Sequence, residues 1–537
     1  MTVSKLEFPR LDQLSGWRLR LANILLSLAA GLGCALAHPP FGIVPGMLGY
    51  ALLLWLVDRA EGPHRLRAAF WYGWLAGFAY FGLGCWWVAE AFLVDARQAW
   101  MAPFAASLLP AGMGLFWGLA CLLYRWIRPA HIGRVLVYAG SFALVVWLSG
   151  HVLSGFPWNL PGETWKAGGL VSQTASLVGA YGMTWLTIFL WSAFAPLAQA
   201  GARRPRLIMA GAGVATLAAM LAFGAVRLSG ARVQLTDTLV RVVQPDIPQS
   251  DKWTQAAFQS IVRKYVDLSR RPYHGRAADV VIWPEGALPA AANDLFAPGT
   301  WTRAAIADAL QPGQVLLIGT YRADYGVHQI PGEAYYNSLM AFTKVGGDLR
   351  FDGVYDKYRL VPFGEFLPAE PLLTRLGVKE LTHVGDGFSH GPRPRPMSVP
   401  GLPVFQPLIC YEGLFPGLPL RTPRAAWIVN VSNDAWFGRT SGPLQHLNLS
   451  SYRAIEEGLP LIRATPTGVS AIVDPWGRSS ADQQLNPGEN GVLDAPLPAA
   501  LENTYFSRIG DLGAWALIVI SFLTAVPVQR LLRKVRQ

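Results

Sequence analysis

Val404-Phe405-Gln406-Pro407-Leu408-Ile409-Cys410-Tyr411-Glu412-Gly413 is the stretch on which the reading of this chain turns. An apolar, strand-like run stops at a thiol, and a polar turn follows it. A lone Cys in that position is most often a packing residue. Here the next residues can wind into a short helix, which would set Cys410 beside free N–H groups and favour its thiolate. Two further strand ends carry polar groups: Val280-Val281-Ile282-Trp283-Pro284-Glu285, and Tyr355-Asp356-Lys357-Tyr358-Arg359-Leu360-Val361-Pro362-Phe363-Gly364-Glu365. Thiol, carboxylate and amine are the parts of a covalent acyl-transfer site. An apolar frame of Trp283 and Pro284 would raise Glu285 by desolvation, as a base working near neutral pH requires. Lys357, in surroundings more apolar than most lysines have, would stabilise the oxyanion of a tetrahedral intermediate.

Around these ends, short β-rich runs at 239–243, 280–283, 315–320, 336–342, 404–409, 426–431 and 469–473 alternate with helix candidates at 254–268, 301–310 and 443–457. Mixed elements over this span predict one layered α/β domain. The Pro-rich stretch Gly391-Pro392-Arg393-Pro394-Arg395-Pro396 predicts an exposed loop.

The rest of the chain is of another kind. Of 537 residues, 52% are hydrophobic and only 15% charged, and the mean hydropathy is +0.29. Apolar stretches run at 21–37, 43–57, 68–94, 104–124, 135–148, 177–198 and 207–226, and an eighth at 512–528. Each comes close to the roughly 20 residues that cross a bilayer core, the second and fifth being short. The predicted organisation is therefore a membrane bundle of seven helices over 1–228, an inserted catalytic domain over 229–505, and a last membrane helix with a basic tail over 506–537. Ala35-Leu36-Ala37 resembles a signal-peptidase site, although small residues are ordinary at the end of a membrane helix.

Charge decides orientation and excludes one function. The net charge of +11 would suit nucleic acid, but the basic residues sit in short clusters between apolar runs, not along a groove. Alternate loops and the two ends hold seventeen Lys and Arg, among them Arg59, Arg65, Arg67, Arg125, Arg128 and Arg134, whereas the opposite short loops hold only Arg97 and Lys166. That bias places both termini in the cytoplasm and the 229–505 domain outside. No C-x-x-C pair and no Cys/His cluster with zinc spacing occurs, so neither a metal nor another cofactor is expected. Cys34, Cys85 and Cys121 lie in apolar segments as packing residues.

Trp283-Pro284-Glu285, Asp356-Lys357 with Leu360-Val361-Pro362-Phe363-Gly364-Glu365, and Cys410-Tyr411-Glu412 resemble, in this order, the motifs of the nitrilase (carbon–nitrogen hydrolase) superfamily. That resemblance implies an αββα sandwich with a Glu285, Lys357 and Cys410 triad. Eight membrane segments, Gly155-Phe156-Pro157-Trp158-Asn159, and Gln244-Pro245-Asp246-Ile247-Pro248-Gln249-Ser250 with Lys252-Trp253 extend it over essentially the whole chain to the apolipoprotein N-acyltransferase family. What this implies is a monomeric bacterial inner-membrane enzyme that moves an acyl chain from the sn-1 ester of a phospholipid such as phosphatidylethanolamine. The chain would pass through a Cys410 thioester to the N-terminal amine of a diacylglyceryl-cysteine apolipoprotein. Glu365 and Glu412 would orient Lys357 and the substrate amine, Tyr411 would support the nucleophile, and Trp253 would contact substrate. Trp86, Trp87, Trp158 and Trp165 are expected in an interfacial belt or opening, Glu90 facing a polar cavity, and His38 and His151 at the membrane interface. The competing reading is a membrane-tethered amidohydrolase with water as acceptor. A transporter with an external receptor domain is disfavoured, since the helices carry no series of intramembrane charges.

Overall fold

The computed structural model describes residues 15–199, 201–249, 252, 255–273, 275–324, 334–368, 387–419 and 423–525. Among these residues, eleven strands follow the helical first part: β1 (Leu235–Gln244), β2 (Val280–Trp283), β3 (Val315–Asp324), β4 (Ala334–Val345), β5 (Asp348–Asp356), β6 (Phe405–Ile409), β7 (Trp427–Val431), β8 (Leu461–Ala464), β9 (Ser470–Val473), β10 (Gln484–Leu485) and β11 (Gly491–Pro498). They form a six-stranded sheet, β11-β1-β2-β3-β4-β5, and a five-stranded sheet, β10-β9-β8-β7-β6. The central pairs β1/β2, β2/β3, β6/β7 and β7/β8 are parallel, which explains their continuous apolar runs.

The sheets pack face to face. Val240, Val242, Ile282 and Leu317 of one share a core with Phe405, Ile409, Val429 and Ile462 of the other. Helices Gln255–Ser269 and Trp301–Ala309 cover the far side of the first sheet through Ile261, Tyr265 and Ile306. Helix Gly442–Glu457 backs the second sheet, burying Leu449 and Ala454 with Leu408, Ile428 and Leu461. The result is the expected helix–sheet–sheet–helix stack.

Strands β5, β8, β10 and β11 have no counterpart among the predicted runs. The β5 sequence Asp348-Leu349-Arg350-Phe351-Asp352 is too charged to read as strand, because β5 is the edge of its sheet and one face is exposed. Strand β8, Leu461-Ile462-Arg463-Ala464, carries Arg463 inside it, and that charge interrupts the apolar run by which the equally short β2 was read.

Among the described residues, four helices are long and apolar enough to cross a membrane: Gly16–Leu36, Ala99–Ile127, Val171–Ala198 and Arg203–Ser229. The pair Arg65–Gly84 and Trp86–Phe92 is apolar enough as well but bent by 53°, the shape of a broken span or a re-entrant loop. Val44–Asp58, Arg134–Ser149 and Leu512–Leu523 are shorter apolar helices. Close packing of small residues joins them: a side-chain carbon at Gly77 would lie 2.8 Å from Trp117 Cβ and 2.9 Å from Gly114 Cα, so the two helices approach backbone to backbone. At one end of the bundle the buried Asp58 carboxylate accepts from Tyr124 Oη at 2.6 Å, Arg128 Nε at 2.5 Å, Arg134 Nε at 3.0 Å and Gln199 Nε2 at 2.8 Å. Two of the basic residues in the arginine-rich loops, Arg128 and Arg134, thus clamp helix ends together.

Candidate active site at the sheet–bundle junction

Glu285 follows β2, Lys357 follows β5 and Cys410 follows β6, so three chain ends converge across the sandwich. Strand β3 must pass close beneath the Pro284-Glu285 turn. A side-chain carbon at Gly319 would sit 2.5 Å from Glu285 Cα, which leaves room only for glycine there. Cys410 opens a 3₁₀ helix, Cys410–Leu414, with φ of 50°. A non-glycine residue in the left-handed region is uncommon, and such strain collects at functional sites.

The three side chains are buried together. Lys357 Nζ donates to Glu285 Oε1 at 3.1 Å and to Glu365 Oε1 at 2.9 Å. Asn337 Nδ2, on β4, donates to the same two oxygens at 2.7 Å each, and the Cys410 thiol hydrogen-bonds the Glu285 carboxylate. Glu365 is fixed further by the Val361 N–H, 2.8 Å from its Oε2. An ammonium has three protons. Two are used here, and the third is available to an oxyanion.

The electrostatics reverse the expected protonation pattern. Burial would raise Glu285, but the charge of Lys357 and hydrogen bonds from Asn337, Lys357 and Cys410 hold it below its ordinary range. Burial would lower Lys357, yet Glu285 and Glu365 keep it well above the usual lysine value. Burial and the Glu285 charge push the Cys410 thiol up to about 12, against the pull of Lys357. The desolvated base predicted for Glu285 and the helix-stabilised thiolate predicted for Cys410 are both corrected: Lys357 and the hydrogen bonds from Asn337 and Cys410 together outweigh the burial of the carboxylate, while burial and that carboxylate's charge raise the thiol. The resting site holds a neutral thiol hydrogen-bonded to an ionised carboxylate.

Glu412 does not touch Lys357. Its fully buried carboxylate accepts from Tyr355 Oη at 2.6 Å, Tyr358 N at 2.8 Å, Arg359 N at 3.1 Å and Ile409 N at 2.7 Å. It therefore ties the backbone around Lys357 to the backbone before Cys410. Tyr411 points the other way, donating through Oη to the Gly155 carbonyl of the bundle at 2.6 Å. Trp253 lies outside the described residues.

Several groups were not foreseen. Asn337 gave no signal beyond a polar residue inside an apolar strand. Behind Cys410, Asp434 accepts from His446 Nδ1 at 2.9 Å and from Arg463 at 2.8 Å, while His446 Nε2 lies 3.3 Å from the Cys410 carbonyl. Burial would raise Asp434, but Arg463 and His446 hold it at about 2. The polar tail Asn430, Ser432, Asn433, Asp434 of strand β7 was the clue available. Lys252 is buried beside Glu285 and pushed down to about 8 by burial, against the attraction of that carboxylate.

The aromatic belt is only partly a belt. Trp87 and Trp158 are buried, and both donate to Gln445 Oε1 of the catalytic domain, at 3.0 and 3.1 Å. Trp165 is partly buried against Thr187, whereas Trp86 stays exposed. The first two are junction pins because the second sheet's helix presents amide acceptors there. Glu90 packs against the catalytic domain: a side-chain carbon at Gly438 would lie 2.9 Å from its Oε2. His38 is not interfacial; it is buried, 2.5 Å from Tyr80 Oη and 3.0 Å from Thr164 Oγ1. His151 is exposed and stacks on Trp147 at 3.9 Å.

Residues 239–505 match the carbon-nitrogen hydrolase family model, and 30–193 match that of the apolipoprotein N-acyltransferase N-terminal domain. A Caulobacter vibrioides protein named apolipoprotein N-acyltransferase is 54% identical over 505 residues, covering 94% of each chain. Proteins of the same name from Bradyrhizobium diazoefficiens and Rhodopseudomonas palustris are 39% and 38% identical, over 97% and 94% of this chain and 98% and 94% of theirs. With both halves matched and near full-length relatives at these identities, the chain belongs to the apolipoprotein N-acyltransferase family.

Proposed function

We propose that this enzyme N-acylates lipoproteins by a two-step transfer through Cys410. In the first step Glu285 takes the thiol proton as Sγ attacks the sn-1 ester carbonyl of a phospholipid such as phosphatidylethanolamine. The oxyanion is met by the third proton of Lys357 and a backbone N–H beside Cys410. The C–O bond then breaks, and Glu285 returns the proton to the departing lysophospholipid. In the second step the α-amine of a diacylglyceryl-cysteine attacks the thioester, Glu285 takes a proton from nitrogen, and the sulfur leaves as the amide forms. Asn337 and Glu365 keep Lys357 and Glu285 in register, and Glu412 holds the two chain segments that carry Lys357 and Cys410.

One observation carries the reading: the residue after the nucleophile is hydrogen-bonded to the apolar bundle, Tyr411 Oη to Gly155 O at 2.6 Å. A thiol one residue from that contact reaches lipid esters without extracting chains that cost about 0.8 kcal/mol per methylene to expose. The topology in this reading is eight spans, five of full length and three shorter helices, working as a monomer in the bacterial inner membrane. Both termini are cytoplasmic, the 229–505 domain is periplasmic, and 506–537 closes the bundle.

The test is intact-mass analysis of the Cys410 peptide after incubation of the enzyme with bilayer phospholipid. An added acyl group that persists until an amine acceptor arrives is expected, and Cys410→Ala abolishes it. Free fatty acid with no stable adduct would identify the amidohydrolase-like alternative and refute transfer.

A further inference from the structure

The fully buried arginines Arg241, Arg453 and Arg463 each hold a carboxylate, at 2.6, 3.0 and 2.8 Å. Arg359 does not. Among the described residues its guanidinium meets no carboxylate: NH1 makes one long bond, 3.3 Å, to the Ser154 carbonyl, and Nε is buried without an acceptor. A charged donor left unsatisfied costs more than a satisfied one returns, so this cation is held for something else.

Its surroundings say what. The Cζ atom lies 5.3 Å from the Tyr358 ring and 5.0 Å from the Phe415 ring, contacts that fix the plane of the cation without neutralising it. Ser154 follows Leu153, which is 94% exposed at φ of 60°. Four residues beyond Arg359, Phe363 is 54% exposed at φ of 63°. Two outward apolar side chains on strained backbone flank the arginine at the bundle junction, where lipid rather than water is the natural contact. Arg359 is two residues from Lys357, the group assigned above to the ester oxyanion. In a glycerophospholipid only the glycerol backbone separates the sn-1 ester from an anionic phosphodiester. Because NH1 is committed to Ser154, the Nε and NH2 edge remains, and that edge is the fork that grips oxyanions.

We infer that Arg359 is the receptor for the phosphate of the acyl donor and selects phosphorylated lipids over neutral glycerides. The inference rests on the acyl-transfer reading and assigns the arginine to its first step alone, since the diacylglyceryl acceptor carries no phosphate.

The experiment uses the full chain in nanodiscs, as wild type, Arg359→Gln and Arg359→Lys. Single-turnover acylation of Cys410 is followed by intact mass, with phosphatidylethanolamine, phosphatidylglycerol or 1,2-diacylglycerol of the same chains as donor. Acylation by a soluble nitrophenyl ester reports an intact triad in each variant. Arg359→Gln is expected to lower kcat/KM for both phospholipids roughly 10- to 100-fold, the range of a lost charge-assisted hydrogen bond. The nitrophenyl ester and diacylglycerol reactions stay within about twofold, and Arg359→Lys recovers part of the loss because it keeps charge without the fork. Equal loss with every donor, or no loss, overturns the inference. Arg359-dependent stimulation of the diacylglycerol reaction by inorganic phosphate would also overturn it, by marking a free-phosphate site. If wild type takes an acyl group from no lipid, the acyl-transfer reading itself fails, a result distinct from the others.

Discussion

Replacing Glu412 with Gln tests whether the site depends on a carboxylate that never meets substrate. Its Oε1 accepts three hydrogen bonds, from Tyr355, Tyr358 N and Arg359 N, and its Oε2 accepts one from Ile409 N at 2.7 Å. Gln keeps the oxygen on the three-donor side at the smallest cost. Its NH2 group then faces the Ile409 N–H, donor against donor, which leaves a buried amide unsatisfied at about 1–3 kcal/mol. Each remaining bond loses its charge assistance, about 1 kcal/mol apiece. Relief of desolvation works the other way: burial pushes the Glu412 carboxyl up, so the ionised form is already penalised. The net loss is about 3 kcal/mol, concentrated where β6 meets the Lys357 segment. A shift of about 1 Å between ammonium and sulfur is worth roughly 100-fold in rate. Glu412→Gln should therefore slow single-turnover acylation of Cys410 about 100-fold and lower the melting temperature by several degrees. Acylation within twofold of wild type at unchanged Tm would refute the assignment of Glu412 as the tie between nucleophile and lysine.

Asn337→Ala removes the donor shared by Glu285 and Glu365, so Glu285 rises toward its ordinary value. The acid limb of the acylation profile should move to higher pH and the rate should fall about 10-fold or more; an unmoved limb would count against the bridge. Asp434 is held at about 2 rather than its ordinary 3.8, a difference worth about 2 kcal/mol. Because the folded value is depressed, this stability is present above pH about 4 and is lost as pH falls toward 2. Denaturation of Asp434→Asn should show a deficit of at least about 2 kcal/mol at pH 7 that narrows below pH 4; a constant deficit would contradict the linkage. Glu163 and Glu456 share Arg453 across the junction, at 3.0 and 2.8 Å; burial pushes each up to about 8, helped by the Glu456 charge at Glu163 and by the Glu457 and Asp511 charges at Glu456. Folding thus favours their protonated forms, and stability falls as pH rises from about 4.5 through 8. Glu163→Gln should melt higher than wild type at pH 8.5 and show no such gain at pH 5.

What the sequence determined by itself was local or additive. Glu285 and Cys410 were legible because each ends an apolar run, and Lys357 because the apolar Leu360-Val361-Pro362-Phe363 follows it closely. The apolar helices were legible because length and hydropathy sum along a segment, and the proposed orientation rests on the arginine bias between loops. Charged edge strand β5 and the Arg463-interrupted β8 escaped, since neither displays an apolar run. Tertiary structure alone decided the protonation of the site, because Lys357, 72 residues from Glu285 in sequence, and the hydrogen bonds from Asn337 and Cys410 together outweigh the burial that a local reading would weigh. It also turned Glu412 away from the lysine, brought Asn337 between two acids, and drew Trp87 and Trp158 off the lipid boundary onto Gln445, 358 and 287 residues distant. Such pairs follow from how layers pack, and no spacing along the chain encodes them.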